Sequence, residues 1–264
     1  MSYRPKRKTI KILYSIKSII EFIFLKFHQF ILRIKKTSFK HNFNISFATY
    51  SPWKEDTEFQ QVYKQIKKKT TIDIYRCYEL WSLLNQVKRM DGDLIEIGTY
   101  KGGSAALIIK RISDQINQNS STHKETVFIC DTFYGVVKSS KNHDNHYTNF
   151  EHNDTSFEDV NNFLKSLNLK NYQILKGIFP DETGHYLENK KIKFCHIDVD
   201  TYQSAKDITE FLWSKIISRG VIVFDDYGFA GSEGVTKFVN EFIEINKNLI
   251  FLHNLNGHGI IIKK

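Results

Sequence analysis

Short apolar runs alternate with amphipathic stretches from Asp93 to the end of the chain. The apolar runs predict β-strands, and the stretches between them predict helices. Regular alternation of strands and helices is typical of a largely parallel sheet with helices on both faces, so we expect an α/β fold. Segment 254–258 separates the last two runs and predicts an antiparallel hairpin. The predicted strands are 93–97, 126–130, 172–176, 193–197, 221–225, 249–253 and 259–263.

Three other segments complete the expected organisation. Asp56 to Lys88 has apolar residues at helical spacing and predicts amphipathic helical structure. Residues 10–34 mix apolar runs with lysines, so they predict a basic amphipathic helix and not a membrane span of about 20 apolar residues. The polar segment Ser139–Asp159 has little to bury and predicts a loop or lid over a crevice. We divide the chain into an N-terminal extension, 1–45, and a domain, 46–264.

The charge of the chain is concentrated at its N-terminus. Of the net +9, the first 40 residues carry eleven lysines and arginines against Glu21 alone, so no basic groove for nucleic acid is expected. The N-terminal helix fits an anionic membrane surface, but packing on the domain or in a homo-oligomer remains an alternative. The isolated cysteines Cys77, Cys130 and Cys195 favour a reducing cytoplasm, with contact at the inner membrane face as a further expectation.

Carboxylates end two consecutive apolar runs. Asp198 and Asp200 follow the run that begins at Phe194, and Asp225 and Asp226 follow the run that begins at Val221. The carboxyl ends of strands in an open α/β sheet border the ligand crevice, where crowded carboxylates repel one another unless a cation binds. Hard oxygen ligands suit Mg²⁺ or Mn²⁺. The alternative is that these side chains cap helices and bond lysines.

A glycine-rich turn follows the first predicted strand. Segment 96–104, Glu-Ile-Gly-Thr-Tyr-Lys-Gly-Gly-Ser, leads from this strand into a helix, as at the start of a βαβ nucleotide site. Its spacing is neither that of a dinucleotide fingerprint nor that of a P-loop. Asp131 ends the second strand, where a carboxylate can accept ribose hydroxyls, although it can instead cap the following segment.

Four segments together resemble the macrocin O-methyltransferase family, within the class I S-adenosylmethionine-dependent methyltransferases. The resemblance implies a Rossmann-like fold with a seven-stranded sheet, S-adenosylmethionine as cofactor, Mg²⁺ or Mn²⁺, and methyl transfer to a hydroxyl of a sugar, a glycan or a related natural product. The segments are 96–104, Asp-Thr-Phe-Tyr-Gly at 131–135, Asp-Val-Asp-Thr-Tyr-Gln-Ser at 198–204, and 220–227.

The resemblance also implies roles for individual residues. Asp198, Asp225 and Asp226 are the expected metal ligands, while Asp200 orients those ligands or bonds the cofactor. Asp198 is also a candidate catalytic base. The other two candidates are His258 and His196, although a lone histidine is more often structural. The expected cofactor-binding residues are Glu96, Gly98, Tyr100, Gly102, Ser104, Asp131 and Gly177.

Two other functions remain open from the sequence. The same fold could serve a different enzyme, such as a relative of the cephalosporin hydroxylases. Alternatively, the chain could be a membrane-associated accessory protein without catalytic activity. The acids Glu96, Asp131, Asp198, Asp225 and Asp226 argue against that second alternative because all of them are present.

Overall fold

The computed structural model describes residues 7–34, 48, 50–116 and 125–264. The chain divides into two units, residues 1–50 and residues 51–264. In the first unit, helix α1 (Arg7–Ile34) is 28 residues long. Among the described residues, no helix combines the length and the apolar character needed to cross a membrane. The predicted division at residue 45 falls outside the described residues and stays a prediction.

The second unit contains one seven-stranded sheet in the order β3-β2-β1-β4-β5-β7-β6. The first five strands in this order are parallel, and β7 is antiparallel to both β5 and β6. The predicted α/β fold with its C-terminal hairpin is therefore confirmed. The strands are β1 (Asp93–Ile97), β2 (Val127–Asp131), β3 (Tyr172–Lys176), β4 (Ile192–Ile197), β5 (Ile216–Phe224), β6 (Leu249–His253) and β7 (Gly259–Lys263).

The strand predictions differ from the structure mainly at β5, which begins five residues earlier than predicted. Ile216 pairs with Ile192 of β4, and the register then shifts before Val221 pairs with Phe194. Polar Ser218 and Arg219 interrupt the apolar pattern there, so periodicity alone hides the first half of the strand.

In the described part of the second unit, six α-helices flank the sheet, and two of them correct the continuous helical region predicted from Asp56 to Lys88. That region is interrupted between residues 67 and 73, where a lysine-rich and threonine-rich stretch lacks apolar periodicity. A new helix begins after Asp73 because its Oδ1 accepts the backbone N–H groups of Tyr75 and Arg76. The helices are α2 (Thr57–Ile66), α3 (Ile74–Val87), α4 (Gly103–Ile116), α5 (Phe157–Ser166), α6 (Tyr202–Trp213) and α7 (Glu233–Ile245).

The sheet separates two hydrophobic cores. Apolar side chains of α2, α3, α4 and α5 pack on one face, and those of α6 and α7 pack on the other. Every residue of β1 and β4 is buried, as expected for central parallel strands covered on both faces. Cys77, Cys130 and Cys195 are buried free thiols within these cores. Because β1 to β5 run parallel, their carboxyl ends lie together at one end of the sheet.

A long irregular segment connects β2 to α5. Residues 132–156, all of which the structure describes, contain neither helix nor strand. Buried Asp144 anchors this loop: its Oδ1 accepts the backbone N–H of Tyr202 at 2.9 Å, and its Oδ2 accepts that of Ser140 at 2.9 Å. The predicted loop is therefore present, and α5 begins at Phe157, within the last three residues of the predicted segment.

Candidate active site

One cavity of about 320 Å³ lies at the carboxyl ends of the parallel strands. Each of the five parallel strands contributes at or just after its end: Gly98 from β1, Asp131 from β2, Gly177 from β3, Asp198 from β4 and Asp225 from β5. This is the position at which open α/β sheets bind ligands. The structure therefore brings residues from the glycine turn and from the two acidic segments to a single site.

The glycine turn approaches β4 closely at Gly98. A Cβ atom at this position would lie 1.7 Å from the carbonyl oxygen of Asp198, and the φ of Gly98 is +86°. Only glycine satisfies both conditions. Tyr100, which also lines the cavity, has a φ of +51°, and its hydroxyl donates to Asp154 at 2.8 Å.

Asp131 holds the backbone of the glycine turn. Its Oδ2 accepts the N–H groups of Thr99 at 2.8 Å and Tyr100 at 2.9 Å, and its Oδ1 accepts that of Phe133 at 2.8 Å. Burial raises the pKa of Asp131, although these three bonds oppose the shift. The carboxylate thus combines a structural role with a position on the cavity wall, and the ribose contact stays a prediction.

Three of the predicted cofactor residues do not line this cavity. Gly102 and Ser104 are buried at the turn into α4, and Glu96 is fully buried on the face of β1 that α3 covers. The Oε1 of Glu96 lies 3.0 Å from Nδ1 of His196, while its Oε2 has no hydrogen-bond partner. These positions add no support to direct contact with a ligand in the cavity, and Glu96 instead belongs to a buried network.

Four aspartates that line the cavity form an acid cluster: Asp198, Asp200, Asp225 and Asp226. Carboxylate oxygens of Asp198, Asp225 and Asp226 lie within 4.8 Å of one another. The Oδ2 of Asp226 accepts the N–H groups of Val199 at 3.2 Å and Asp200 at 2.9 Å, which joins the end of β5 to the end of β4. The predicted metal ligands are thus brought together.

The acid cluster is electrostatically uneven. Burial, together with repulsion from neighbouring aspartates, raises the pKa of Asp198 and Asp200 well above the usual range and also raises that of Asp226. Burial opposes ionisation of Asp225 as well, but the neighbouring imidazole of His196, a hydrogen bond from His258 and the charge of Arg76 hold its pKa well below the usual range. Asp225 is therefore readily ionised. Ionisation of the other three carboxylates is unfavourable unless a further positive charge binds nearby.

Arg76 supplies a cation that the sequence did not predict at this site. Its Nε donates to Asp73 at 2.8 Å, its Nη1 pairs with Oδ2 of Asp225, and its guanidinium carbon lies 4.7 Å from the centre of the Phe229 ring. The interruption before α3 places Arg76 here, because Asp73 caps the helix and holds the side chain. That Asp–Arg spacing at a helix start is the only signal in the sequence.

The two candidate histidines lie behind Asp225. Nε2 of His258 is 2.9 Å from Oδ1 of Asp225, and Nδ1 of His258 is 2.5 Å from Oε2 of Glu79. Nε2 of His196 is 3.6 Å from the same Asp225 oxygen. Burial opposes protonation of His196, but Asp225 and Glu96 outweigh it and raise its pKa to about 9.

Both histidines are fully buried, and neither lines the described cavity. Because neither imidazole borders the cavity, the structure adds no support to His258 or His196 as the base, and this role stays a prediction. His196, Asp225 and His258 do place three potential ligand atoms within 4.8 Å of one another. Both imidazoles are already committed to carboxylates, however, so we interpret this group as support for Asp225.

The irregular loop contributes Tyr147 to the cavity wall, which the sequence also did not reveal. Burial and the nearby charge of Asp200 raise the pKa of this tyrosine, and its hydroxyl interacts with Asp200 and Ser232. A neutral phenol next to Asp200 can donate a hydrogen bond to that carboxylate. An aromatic residue within a polar loop was the only sequence signal.

The sheet order, the glycine turn and the ligand cavity at the strand ends define a Rossmann-like methyltransferase. The sequence model of the family "Macrocin-O-methyltransferase (TylF)" matches residues 59–264, and the chain belongs to this family. It is therefore an O-methyltransferase, and the family implies S-adenosylmethionine as the methyl donor.

Solved structures support the fold. The O-methyltransferase NovP is similar with a TM-score of 0.59 and 21% identity, over 74% of this chain and 82% of that one. The calicheamicin methyltransferase CalS11 has a TM-score of 0.58 and 13% identity, over 84% and 98%. A putative O-methyltransferase from Klebsiella pneumoniae has a TM-score of 0.51 and 11% identity, over 79% and 90%. Among curated protein sequences, none matches the chain.

Proposed function

We propose that this protein transfers a methyl group from S-adenosylmethionine to a hydroxyl of a sugar, a glycan or a related natural product, with Mg²⁺ or Mn²⁺ held by the acid cluster. The observation that carries the proposal is the one described cavity that residues of the glycine turn and four aspartates line together. The acceptor class draws support from CalS11, whose apo structure is described as a TDP-rhamnose 3'-O-methyltransferase.

The cofactor side fits a nucleoside with a charged tail. Gly98 and Gly177 offer backbone without side chains at the ends of β1 and β3, and Tyr100 adds an aromatic wall. Asp131 uses three acceptor positions for backbone N–H groups, and a carboxylate has about four. One position therefore remains for a ribose hydroxyl.

The acid cluster fits a hard dication. Asp198, Asp225 and Asp226 offer oxygen ligands close enough to share one ion, and burial together with mutual repulsion raises the pKa of Asp198 and Asp226. When bound, the ion would lower the pKa of an acceptor hydroxyl and fix its orientation. Arg76 already pairs with Oδ2 of Asp225. Asp225 would keep this contact to the guanidinium while the acid cluster accepts the metal.

We assign the role of base to Asp200. It lines the cavity and lies next to the proposed metal ligands, and burial together with the charge of Asp226 raises its pKa. Its φ of +65° is unusual for an aspartate and fixes the carboxylate at the start of α6. Asp198, the base first predicted, then serves as a metal ligand.

Family membership favours this proposal over both alternatives from the sequence. The family match spans the whole cavity region, which supports methyl transfer over a hydroxylase-like reaction. The acid cluster is assembled at the cavity, which argues against a pocket that has lost catalysis.

Metal removal tests the proposal. We expect methyl transfer from S-adenosylmethionine to nucleotide-sugar or glycoside acceptors to stop in EDTA and to return with Mg²⁺ or Mn²⁺. Asp226→Asn should lower turnover by roughly 10²-fold or more while cofactor affinity, measured by calorimetry with S-adenosylhomocysteine, stays nearly constant.

The matched control is Glu244→Gln, which neutralises an exposed carboxylate on α7 and should leave both measurements unchanged. Full activity in EDTA, or an Asp226→Asn enzyme as fast as the wild type, would reject the metal and leave a metal-independent O-methyltransferase.

A further inference from the structure

Helix α1 lies outside the family match, which covers residues 59–264. It extends over 28 residues, or about 42 Å at the usual rise per residue. The proposed function therefore leaves its composition unexplained. Its described side chains nevertheless follow a regular pattern around the helix.

The apolar side chains of α1 are concentrated on one side. At about 100° per residue, seven of the eight exposed large apolar side chains described in α1 fall within an arc of roughly 140° of the helix circumference, and the eighth, Phe22, lies about 60° outside it. Each of them is between 48% and 61% exposed. A contiguous apolar surface of this kind marks an interaction site. The arc consists of Ile16, Ile19, Ile20, Ile23, Phe24, Phe27 and Phe30.

Exposed lysines border both edges of this arc. Lys17 lies about 20° beyond Phe24, and Lys26 lies about 20° before Ile19, on the same count of 100° per residue. Lysine stems at such positions can follow an apolar surface while their ammonium groups reach the polar headgroups. Lys17 pairs with Glu21 at 3.2 Å, and Glu21 is the only acid in the first 40 residues.

We propose that α1 binds in the plane of an anionic lipid bilayer, with its apolar arc toward the acyl chains and its lysines at the phosphate level. The charge of α1 favours an anionic bilayer over a second copy of the helix. The six lysines and arginines of α1, against one acid, attract an anionic surface, whereas pairing two copies of α1 would bring like charges together. The apolar arc supplies the insertion that charge alone does not provide.

Vesicle sedimentation of the full chain tests the proposal. We expect binding to vesicles that contain phosphatidylglycerol, much weaker binding to pure phosphatidylcholine, and weaker binding as salt rises. Lys17→Gln with Lys26→Gln should reduce affinity about 30-fold. Phe24→Ser with Phe27→Ser should reduce it more than about 100-fold.

The control replaces two exposed apolar residues outside α1, Ile245→Ser with Leu252→Ser, and should bind vesicles like the wild type. Equal binding with and without phosphatidylglycerol would overturn the proposal. It would also be overturned if the phenylalanine variant kept lipid binding but fell to a smaller oligomer in light scattering, because α1 would then be a contact between copies. Unchanged thermal unfolding of the methyltransferase unit shows that the variants are folded.

Discussion

Two sites at the carboxyl ends of the parallel strands use the same residue type in different ways. Asp131 at the end of β2 is satisfied by three backbone N–H groups. The acid cluster at the ends of β4 and β5 places four carboxylates together, and the nearby Arg76 pairs with only one of them, Asp225. An aspartate at a strand end can therefore hold a loop through backbone hydrogen bonds, or it can offer its oxygens to a bound ligand, depending on its partners.

The pKa shifts express this difference physically. At Asp131, burial and amide hydrogen bonds oppose each other, and the repulsion from Glu96 is the smallest contribution. At Asp198, burial and three neighbouring aspartates act in the same direction. The first site is nearly complete in the protein alone. The second gains most from a cation, which is why we assign the metal there.

The largest expected effect on turnover comes from Asp200→Asn. The substitution keeps the shape of the side chain but removes the proposed base, so turnover should fall by roughly 10²–10⁴-fold. Metal affinity, measured by titration with Mn²⁺, and cofactor affinity should change little. If Asp200→Asn loses metal as strongly as Asp226→Asn does, Asp200 is a ligand and the assignment as base is wrong.

A smaller effect is expected at the other side of the cavity. Asp131→Ala removes the acceptor of three backbone N–H groups, so the glycine turn loses charge-assisted bonds worth about 1.5–3 kcal/mol. Affinity for S-adenosylhomocysteine should fall about 10–100-fold in calorimetry, while turnover at saturating cofactor is largely retained. Asp131→Asn keeps one acceptor oxygen and should lie between the two proteins; an Asp131→Ala protein with wild-type affinity would contradict the role of the anchor.

The smallest effect on turnover is expected for Arg76→Gln. Loss of this counter-charge should lower the melting temperature in EDTA by about 5 °C, because Asp225 then faces its neighbours without the guanidinium. Saturating Mg²⁺ should recover most of that loss, so the metal-induced shift becomes larger than in the wild type. Lys237→Gln, which removes an exposed cation on α7, serves as control. An equal loss with and without Mg²⁺ would show that Arg76 only supports packing.

The sequence predicted most of the fold because its evidence is local. Apolar runs such as 93–97 and 193–197 are bounded by charged or glycine residues, so their strands could be located to within one residue. The acidic pairs could be placed at the cavity because they follow consecutive strands. The interruption between α2 and α3 was missed, since Ile66 and Ile74 keep a helical apolar pattern on both sides of it.

The rest of the site depends on contacts distant in the sequence. Arg76 and Asp225 are separated by 149 residues, and the sequence around either residue does not predict their ion pair. Glu96 was assigned to the cofactor from its place in the glycine motif, yet strand parity directs its side chain to His196, 100 residues away. Tyr147 reaches Asp200 from a loop that has no periodicity. Tertiary partners, which local patterns do not encode, decide these roles.

The close approach of Gly98 to the carbonyl oxygen of Asp198 sets the distance between the glycine turn and the acid cluster. No side chain intervenes at this point, so the spacing between the cofactor turn and the acid cluster is set by main chain alone. Substitution of surrounding side chains leaves that spacing intact. Redesign toward a new acceptor is therefore best directed at the loop 132–156, where the wall of the cavity can be exchanged without altering the distance over which the methyl group travels.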